Sequence, residues 1–436
     1  MTDSLFVLWS YYRAKRRHFF NRESLEVWQR KKLDRALRQA VRKFPFYKNM
    51  AGIPYESLPI TDKKILVSRF EEMNSLGISL QSAMNLAVKS EISRDFSPMI
   101  GNTSVGLSTG TSGSRSVFLV QRHERLKWAG TVLARALPGT IWSKHRIAFL
   151  FRANNNLYET VRSNRINFQF FDLLQPLDVV TESLAKFSPS ILIGPSHALG
   201  QIAIAKASGM TKVSPMHVIS VAEVLEDRDK QLIETAFGTK VQQIYQATEG
   251  FLASTCAFGT LHLNEDLLYF ERQYLDFEKR RFVPIITDFY RESQAIIRYR
   301  LNDVLIIKDN PCPCGSALLP IEKIEGRCDD IIFLRAKEGN ELKPVFPDIL
   351  RNALAKSNLG FEEFQIVQTQ INQLLVRIDP IDGQLDETLL VTSLLRLFES
   401  LKVCPPEVKV ELGTKFDISK KFRRIERRFA ISEAQI

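Results

Sequence analysis

Residues 106–115 read Gly-Leu-Ser-Thr-Gly-Thr-Ser-Gly-Ser-Arg. Glycine reaches positive φ at little cost, so successive backbone N–H groups can point into one concavity. The hydroxyls of Ser108, Thr109, Thr111, Ser112 and Ser114 add donors. Such a loop suits phosphate oxygens, although the same residues also make a polar linker. It lacks the Gly-Lys-Ser/Thr ending of a Walker loop, which disfavours an ordinary P-loop NTPase. A second stretch, Tyr245-Gln-Ala-Thr-Glu-Gly250, follows an apolar β-like run. A carboxylate such as Glu249 at a strand end is a natural Mg²⁺ ligand beside a triphosphate. The Tyr245 ring, four residues earlier, can stack on a base. The third stretch is Arg298-Tyr-Arg-Leu-Asn-Asp303, whose terminal aspartate can accept both hydroxyls of a ribose. The fourth is Gly326-Arg-Cys-Asp-Asp330.

The cysteines offer a different chemistry. Cys256, His262, Cys312 and Cys314 form a Cys-x5-His … Cys-x-Cys set. Three thiolates and an imidazole suit a tetrahedral structural Zn²⁺, although Cys-x-Cys is tighter than the common Cys-x2-Cys. The alternative is free thiols and a turn. Cys328 and Cys404 read as plain thiols, and an odd total of five in a long chain argues against a disulfide framework.

These groups need a scaffold. From residue 146 onward, β-like runs (147–151, 168–173, 190–193, 216–221, 242–244) alternate with helical patterns (199–208, 228–237). That alternation predicts parallel α/β architecture. Strands dominate residues 261–308, including 295–299 and 304–307. After residue 330 the order is strand 331–334, helix 346–357, strands 363–369 and 373–378, helix 387–401 and strand 407–412. This βαββαβ order predicts a separate small α+β domain. The expected division is therefore 1–328 and 329–436. Residues 4–48 read as helical with a basic polar face. That face is either packed on its own domain by Lys/Arg stems or laid on a membrane.

A chain of 436 residues, 44% apolar and 25% charged, is neither disordered nor a disulfide-stapled mini-protein. The net charge of +11 resolves into +9 over residues 13–43 and +5 over 415–428, leaving a slightly acidic body. That distribution weakens a general polyanion-binding reading, and no nucleic-acid partner is expected. No signal peptide is visible and no run approaches ~18 apolar residues, so the expected address is the cytoplasm.

The four motifs, in this order, resemble those of the adenylate-forming superfamily of acyl-CoA synthetases, luciferases and peptide-synthetase adenylation domains. The loop 108–114 is similar to its phosphate loop, 245–249 to its Tyr-x-x-Thr-Glu motif, Arg300–Asp303 to its Arg-Thr-Gly-Asp motif, and 326–330 to its Gly-Arg-x-Asp-Asp hinge. A finer resemblance is to the phenylacetate–CoA ligase-like branch. It rests on Phe46-Tyr47, Leu58-Pro-Ile-Thr-Asp-Lys63, Leu261-His-Leu-Asn-Glu-Asp266 and Cys312-Pro-Cys-Gly315. The stretch Leu150-Phe-Arg-Ala-Asn-Asn-Asn-Leu-Tyr158 is similar to one group of adenylate-forming enzymes within it.

The resemblance implies a large N-terminal α/β domain with mixed sheets and flanking helices, and a small mobile α+β C-terminal domain. It implies activation of a carboxylic acid by MgATP to an acyl-adenylate, with release of pyrophosphate, then transfer to a thiol such as CoA. Ser108, Thr109, Gly110, Thr111, Ser112 and Gly113 would hold phosphates. Thr248 would contact the α-phosphate, Glu249 would hold Mg²⁺, and Tyr245, Asp303 and Arg327 would border the nucleoside. Asp329 would be the hinge. A catalytic lysine is expected in a Gly-Lys-x-x-Arg setting, which Ser419-Lys-Lys-Phe-Arg-Arg424 fits with Lys421. Lys420 replaces the family glycine and leaves two lysines to choose between. The acyl pocket would draw on Gly194, His197, Ser220, Ala222, Glu223 and Ala247, with an aryl acid favoured; His197 also reads as a structural histidine. Arg351 stands where the family has a glutamate near the thiol tunnel, so adenylation is better supported than CoA use. A carrier-protein thiol, an amine, a hydroxyl or AMP transfer to a cofactor are alternative second steps. A basic scaffold at a membrane or nucleic acid is the non-enzymatic alternative.

Overall fold

The computed structural model describes residues 2–108, 115–355, 359–381, 385–413, 423–429 and 431. Thr109, Gly110, Thr111, Ser112, Gly113, Lys420 and Lys421 lie outside the described residues. The chain divides into two compact units: Met1–Leu301 with Leu305–Ile324, and Asn302–Val304 with Glu325–Ile436.

The large unit is built on the parallel half of a mixed sheet. Strands Ile166–Asp172, His145–Phe151, Ile191–Gly194, His217–Val221 and Val241–Ala247 lie side by side in that spatial order, all parallel. Such strands are covered on both faces and therefore read as apolar runs rather than alternations. Helices Leu177–Phe187, Ser196–Ala207 and Asp227–Phe237 cover one face through Leu184, Leu199, Ile202 and Ile233. Helix Arg122–Ala136 covers the other, where Ala129 and Leu133 meet Ile147, Phe149 and Ile219. Beyond Val241–Ala247 the sheet turns antiparallel, through Gly250–Thr255 and Leu261–Leu263.

The expected single N-terminal helix is in fact two, Asp3–Lys15 and Arg22–Lys43. Asn21 breaks the run. Its side chain accepts the Ser24 N–H while Ser24 Oγ accepts the Asn21 N–H, a reciprocal cap that starts the second helix. The first helix crosses Arg122–Ala136 closely. A Cβ on Gly130 would sit 2.5 Å from the Val7 carbonyl oxygen, so only glycine fits there. The second helix is anchored by charge. Arg22 makes a two-pronged pair with Glu265 at 2.5 and 2.7 Å, and Arg17 and Arg135 reach Asp266 at 2.8 and 2.6 Å. Burial opposes ionisation of Asp266, but the two guanidiniums overcome it and hold the carboxyl below its ordinary range. Part of the N-terminal basic charge is thus bound internally.

Residues 295–299 were expected as a strand, yet only Tyr299–Arg300 is one. The hydrogen bonds of this segment go elsewhere: Ala295 N–H to the Met73 carbonyl, Thr61 N–H to the Arg298 carbonyl and Arg300 N–H back to Thr61. Arg298 also has φ +44°, which no regular strand accommodates.

In the small unit, helices Pro347–Ala355 and Glu387–Ser400 accompany a four-stranded sheet ordered Glu407–Leu412, Gln373–Pro380, Phe361–Gln370 and Ile425–Arg427. Its core includes Leu350, Ile366, Val376, Leu390, Leu394 and Phe398. Two strands were not expected. Leu342–Val345 pairs with Ile332–Arg335 as a hairpin, and Ile425–Arg427 joins the sheet edge in parallel. The latter hides in a charged run because Arg423 and Arg424 are tied down, to Asp330 at 2.7 Å and Glu363 at 2.6 Å. No described helix is long and apolar enough to cross a membrane.

Candidate active site and metal centre

Parallel strands present their carboxyl ends along one edge, where ligands gather in open α/β sheets. Here that edge carries Arg152 after Phe151, Ser196 and His197 after Gly194, Ala222 and Glu223 after Val221, and Thr248 and Glu249 after Ala247. The structure therefore brings the expected acyl-pocket residues and the Thr-Glu motif to one edge of the large unit.

Glu223 ties two of these ends together. It accepts the His197 N–H at 3.3 Å, at the start of helix Ser196–Ala207 where a negative charge is favoured, and lies 3.8 Å from Arg152. Between Val221 and Glu223 the chain makes a three-residue turn closed by the Glu223 N–H on the Val221 carbonyl, with Ala222 at φ +67°. A non-glycine residue held there costs on the order of 1–3 kcal/mol and such strain concentrates at functional sites. Ser220 Oγ is buried with no hydrogen-bond partner among the described residues. Gly194 has a packing reason of its own, since a Cβ would lie 2.9 Å from Leu150 Cβ.

The Thr248–Glu249 turn is gripped from several sides. Arg291 donates to the Thr248 carbonyl at 2.5 Å, and the Gln246 amide donates to the Ala247 and Gly250 carbonyls at 2.7 and 3.0 Å. Trp128 in turn donates to Gln246 Oε1 at 2.9 Å. Thr248 Oγ1 donates to Glu249 Oε2 at 2.8 Å. Behind the turn, Asp288 accepts the Tyr290 and Arg291 N–H groups. Burial pushes Asp288 up, and burial pushes the neighbouring Lys127 down to about 7. Sequence reading missed Arg291, Gln246 and Trp128, because contacts spanning 43 and 118 residues leave no local signal. Tyr245 is 8% exposed and sits in the hydrophobic cluster with Phe251 and Leu252, which leaves little of its ring open to a base.

Strands Thr103–Leu107 and Val117–Gln121, which flank the glycine–hydroxyl stretch in sequence, pair antiparallel. Ser108 continues the pairing: its N–H donates to the Ser116 carbonyl at 2.8 Å and its Oγ accepts the Ser116 N–H at 2.9 Å. In the small unit, Asp303 and Arg327 lie 3.8 Å apart, and Asn302 donates to Asp329 at 2.6 Å. Arg351 donates to the Glu325 carbonyl at 3.0 Å, so its position beside the hinge motif is occupied by a backbone contact.

Cys256, His262, Cys312 and Cys314 converge, with all four donor atoms within 4.8 Å of one another. Cys256 Sγ is 3.7 Å from Cys312 Sγ, and Cys314 Sγ is 3.4 Å from His262 Nε2. A tetrahedral Zn²⁺ with ordinary bond lengths requires edges of about 3.8 Å for S–S and about 3.5 Å for S–N. His262 Nδ1 faces the Leu318 carbonyl at 3.0 Å, which directs Nε2 into the cluster. The donor set and its spacing fit zinc.

No protein-family model matches the chain. It is 26% identical to protein CapK of Staphylococcus aureus over 201 residues, 45% of this chain and 43% of that protein, so the match spans less than half of the relative. Among solved structures, a 2-hydroxyisobutyryl-CoA ligase in complex with 2-HIB-AMP superposes with TM-score 0.68 at 16% identity, covering 92% of this chain and 89% of that one. An acyl acid amido synthetase superposes at TM-score 0.57 and 11% identity, covering 91% and 90%. An amide bond synthetase from Marinactinospora thermotolerans superposes at TM-score 0.53 and 13% identity, covering 72% and 67%. Across 92% of its length the chain therefore shares its fold with the 2-hydroxyisobutyryl-CoA ligase.

Proposed function

We propose that this protein activates a carboxylic acid with ATP, forming an acyl-adenylate and releasing pyrophosphate, and then passes the acyl group to a thiol such as CoA. The observation that carries this reading is the clamped Thr248–Glu249 turn at the carboxyl edge of the parallel sheet, within a fold shared with acyl-AMP-binding ligases. A carboxylate oxygen of the acid attacks the α-phosphorus, the bond to the β-phosphate oxygen breaks, and pyrophosphate leaves. The thiol sulfur then attacks the acyl carbon, AMP departs and the thiol proton passes to solvent. Thr248 would contact the α-phosphate, residues 108–113 the outer phosphates, and Asp303 with Arg327 the ribose. Glu249 would hold Mg²⁺, which supplies charge neutralisation at the triphosphate. Lys421 would oppose the charge that develops on the transferring group. Asp329 would serve as the hinge.

Cys256, His262, Cys312 and Cys314 would hold a structural Zn²⁺. An aryl acid is the favoured substrate class, from the motif likeness to phenylacetate–CoA ligases. An amine is the second acceptor reading, favoured by the fold's likeness to an acyl acid amido synthetase and an amide bond synthetase. The test is acid-dependent ATP–pyrophosphate exchange across a panel of aryl and fatty acids, followed by addition of CoA or amines. Exchange with at least one acid is expected, with Glu249→Gln abolishing it and Lys421→Ala sparing ATP binding. An absence of both exchange and ATP binding across the panel would sink the proposal.

A further inference from the structure

The outer face of the first helix is not what a helix packed on a soluble protein needs. Its inner face is consumed by the close crossing at Gly130, where Tyr11 is buried. The opposite face should be polar. It instead carries Leu5 and Trp9, one turn apart and both exposed, with Trp9 47% exposed. The line continues through Arg13 and Arg16 to Phe20, which is 96% exposed in the connection before the second helix.

A second exposed indole joins this face. Trp142, 54% exposed, donates its Nε1–H to Tyr12 Oη at 2.8 Å. Each indole and phenol is attended by an arginine: Arg13 lies 4.9 Å from the Trp9 ring, Arg16 5.9 Å from Tyr12 and Arg165 6.0 Å from Trp142. A nearby acid, Asp3, is already paired with Arg122. The surface is therefore apolar, aromatic and cationic together, with Arg13 and Arg16 exposed at the start of the basic 13–43 segment.

Tryptophan and arginine side by side are suited to the headgroup layer, where the ring is half-immersed and the guanidinium meets lipid phosphate. Leu5 favours lipid over nucleic acid, since an exposed aliphatic chain has nothing to stack on in a nucleic acid but partitions into acyl chains. We propose that the face formed by Leu5, Trp9, Arg13, Arg16, Phe20 and Trp142 docks peripherally on an anionic lipid bilayer. This is independent of the catalytic reading, because it uses no residue of the Thr248–Glu249 edge.

The full-length protein is sedimented with phosphatidylcholine vesicles, with and without about one-third phosphatidylglycerol. Binding is expected only with the anionic lipid, accompanied by a blue shift of tryptophan emission, and weakening as salt rises from about 0.1 M to about 0.5 M. Arg13→Gln/Arg16→Gln should weaken it about 30-fold, from roughly a fivefold contribution per basic side chain. Trp9→Ser/Phe20→Ser should abolish the blue shift while melting as the wild type does, since both side chains are exposed. Failure to bind anionic vesicles overturns the proposal, as does unchanged binding of Trp9→Ser/Phe20→Ser. It is equally overturned if short duplex DNA binds in place of vesicles, or if these substitutions instead convert a dimer to a monomer.

Discussion

Strand Gly250–Thr255 carries Glu249 just before it and Cys256 just after it, and its two ends are organised on opposite principles. At the cysteine end, four side-chain donors from three separate segments lie within 4.8 Å of one another, a set that suits tetrahedral coordination. At the glutamate end, the protein grips the backbone instead. Arg291 and Gln246 take the carbonyls of Thr248, Ala247 and Gly250, while the Thr248 hydroxyl donates to the Glu249 carboxylate. Closed coordination suits a metal that stabilises, whereas an immobilised backbone with side chains held forward suits a ligand that must come and go. The comparison teaches where to expect stability effects and where to expect rate effects.

The largest break should come at the closed end. Cys256→Ser should remove one equivalent of zinc and lower unfolding stability by several kcal/mol, below the ~10–16 kcal/mol of isolated zinc domains because this core is far larger. Metal analysis and melting check it, with exchange activity per folded molecule retained. At the open end, Glu249→Gln should reduce exchange by about 10²–10³-fold with melting unchanged, the cost of a lost charge partner for the ion at the transferring group. If Glu249→Gln instead lowered the melting point as Cys256→Ser does, the two ends would not differ in kind.

A smaller effect should follow at the grip. Arg291→Lys keeps a charge but loses the fork that reaches the Thr248 carbonyl, and charge-assisted hydrogen bonds contribute about 1.5–3 kcal/mol. Exchange should fall about tenfold, mainly in kcat, with Arg291→Ala lower still. An equal fall in both variants would mean that charge alone, not placement of the turn, is what Arg291 supplies.

These two ends also differ in how much of each could be read in advance. The Cys-x5-His … Cys-x-Cys spacing named all four members of the cluster, because cysteine and histidine are few enough to be counted. Thr248 and Glu249 were legible as a motif, but the grip was not, since Arg291 and Trp128 look like any charged or aromatic residue until the chain folds and Gln246 reads as a spacer within the motif. The same holds for the scaffold. Four of the five parallel strands were found within two residues from their apolar runs, and Val241–Ala247 from residues 242–244 alone, while Ile425–Arg427 stayed hidden because its neighbours are arginines that become buried only through Asp330 and Glu363. The +11 total was similarly misleading, as Arg17 and Arg22 are bound to Asp266 and Glu265.

The smallest predicted effect lies behind the turn, where Lys127 and Asp288 are both pushed toward neutrality by burial. Lys127 titrates at about 7 in the folded protein and near its ordinary value of about 10.4 when unfolded. Between those values the unfolded chain binds a proton that the folded chain lacks. Stability must therefore rise with pH from about 7 and level off by about 10.5, with the penalty fully present below 7. Lys127→Met removes the titration while keeping an unbranched apolar stem. Its melting point should exceed the wild type's by a few degrees at pH 6.5, and the gap should narrow steadily by pH 9.5. A constant gap across that range would assign the effect to packing against Tyr290. The narrowing gap would show that the backing of the turn, unlike the turn itself, carries a stability cost, that of burying the Lys127 amine.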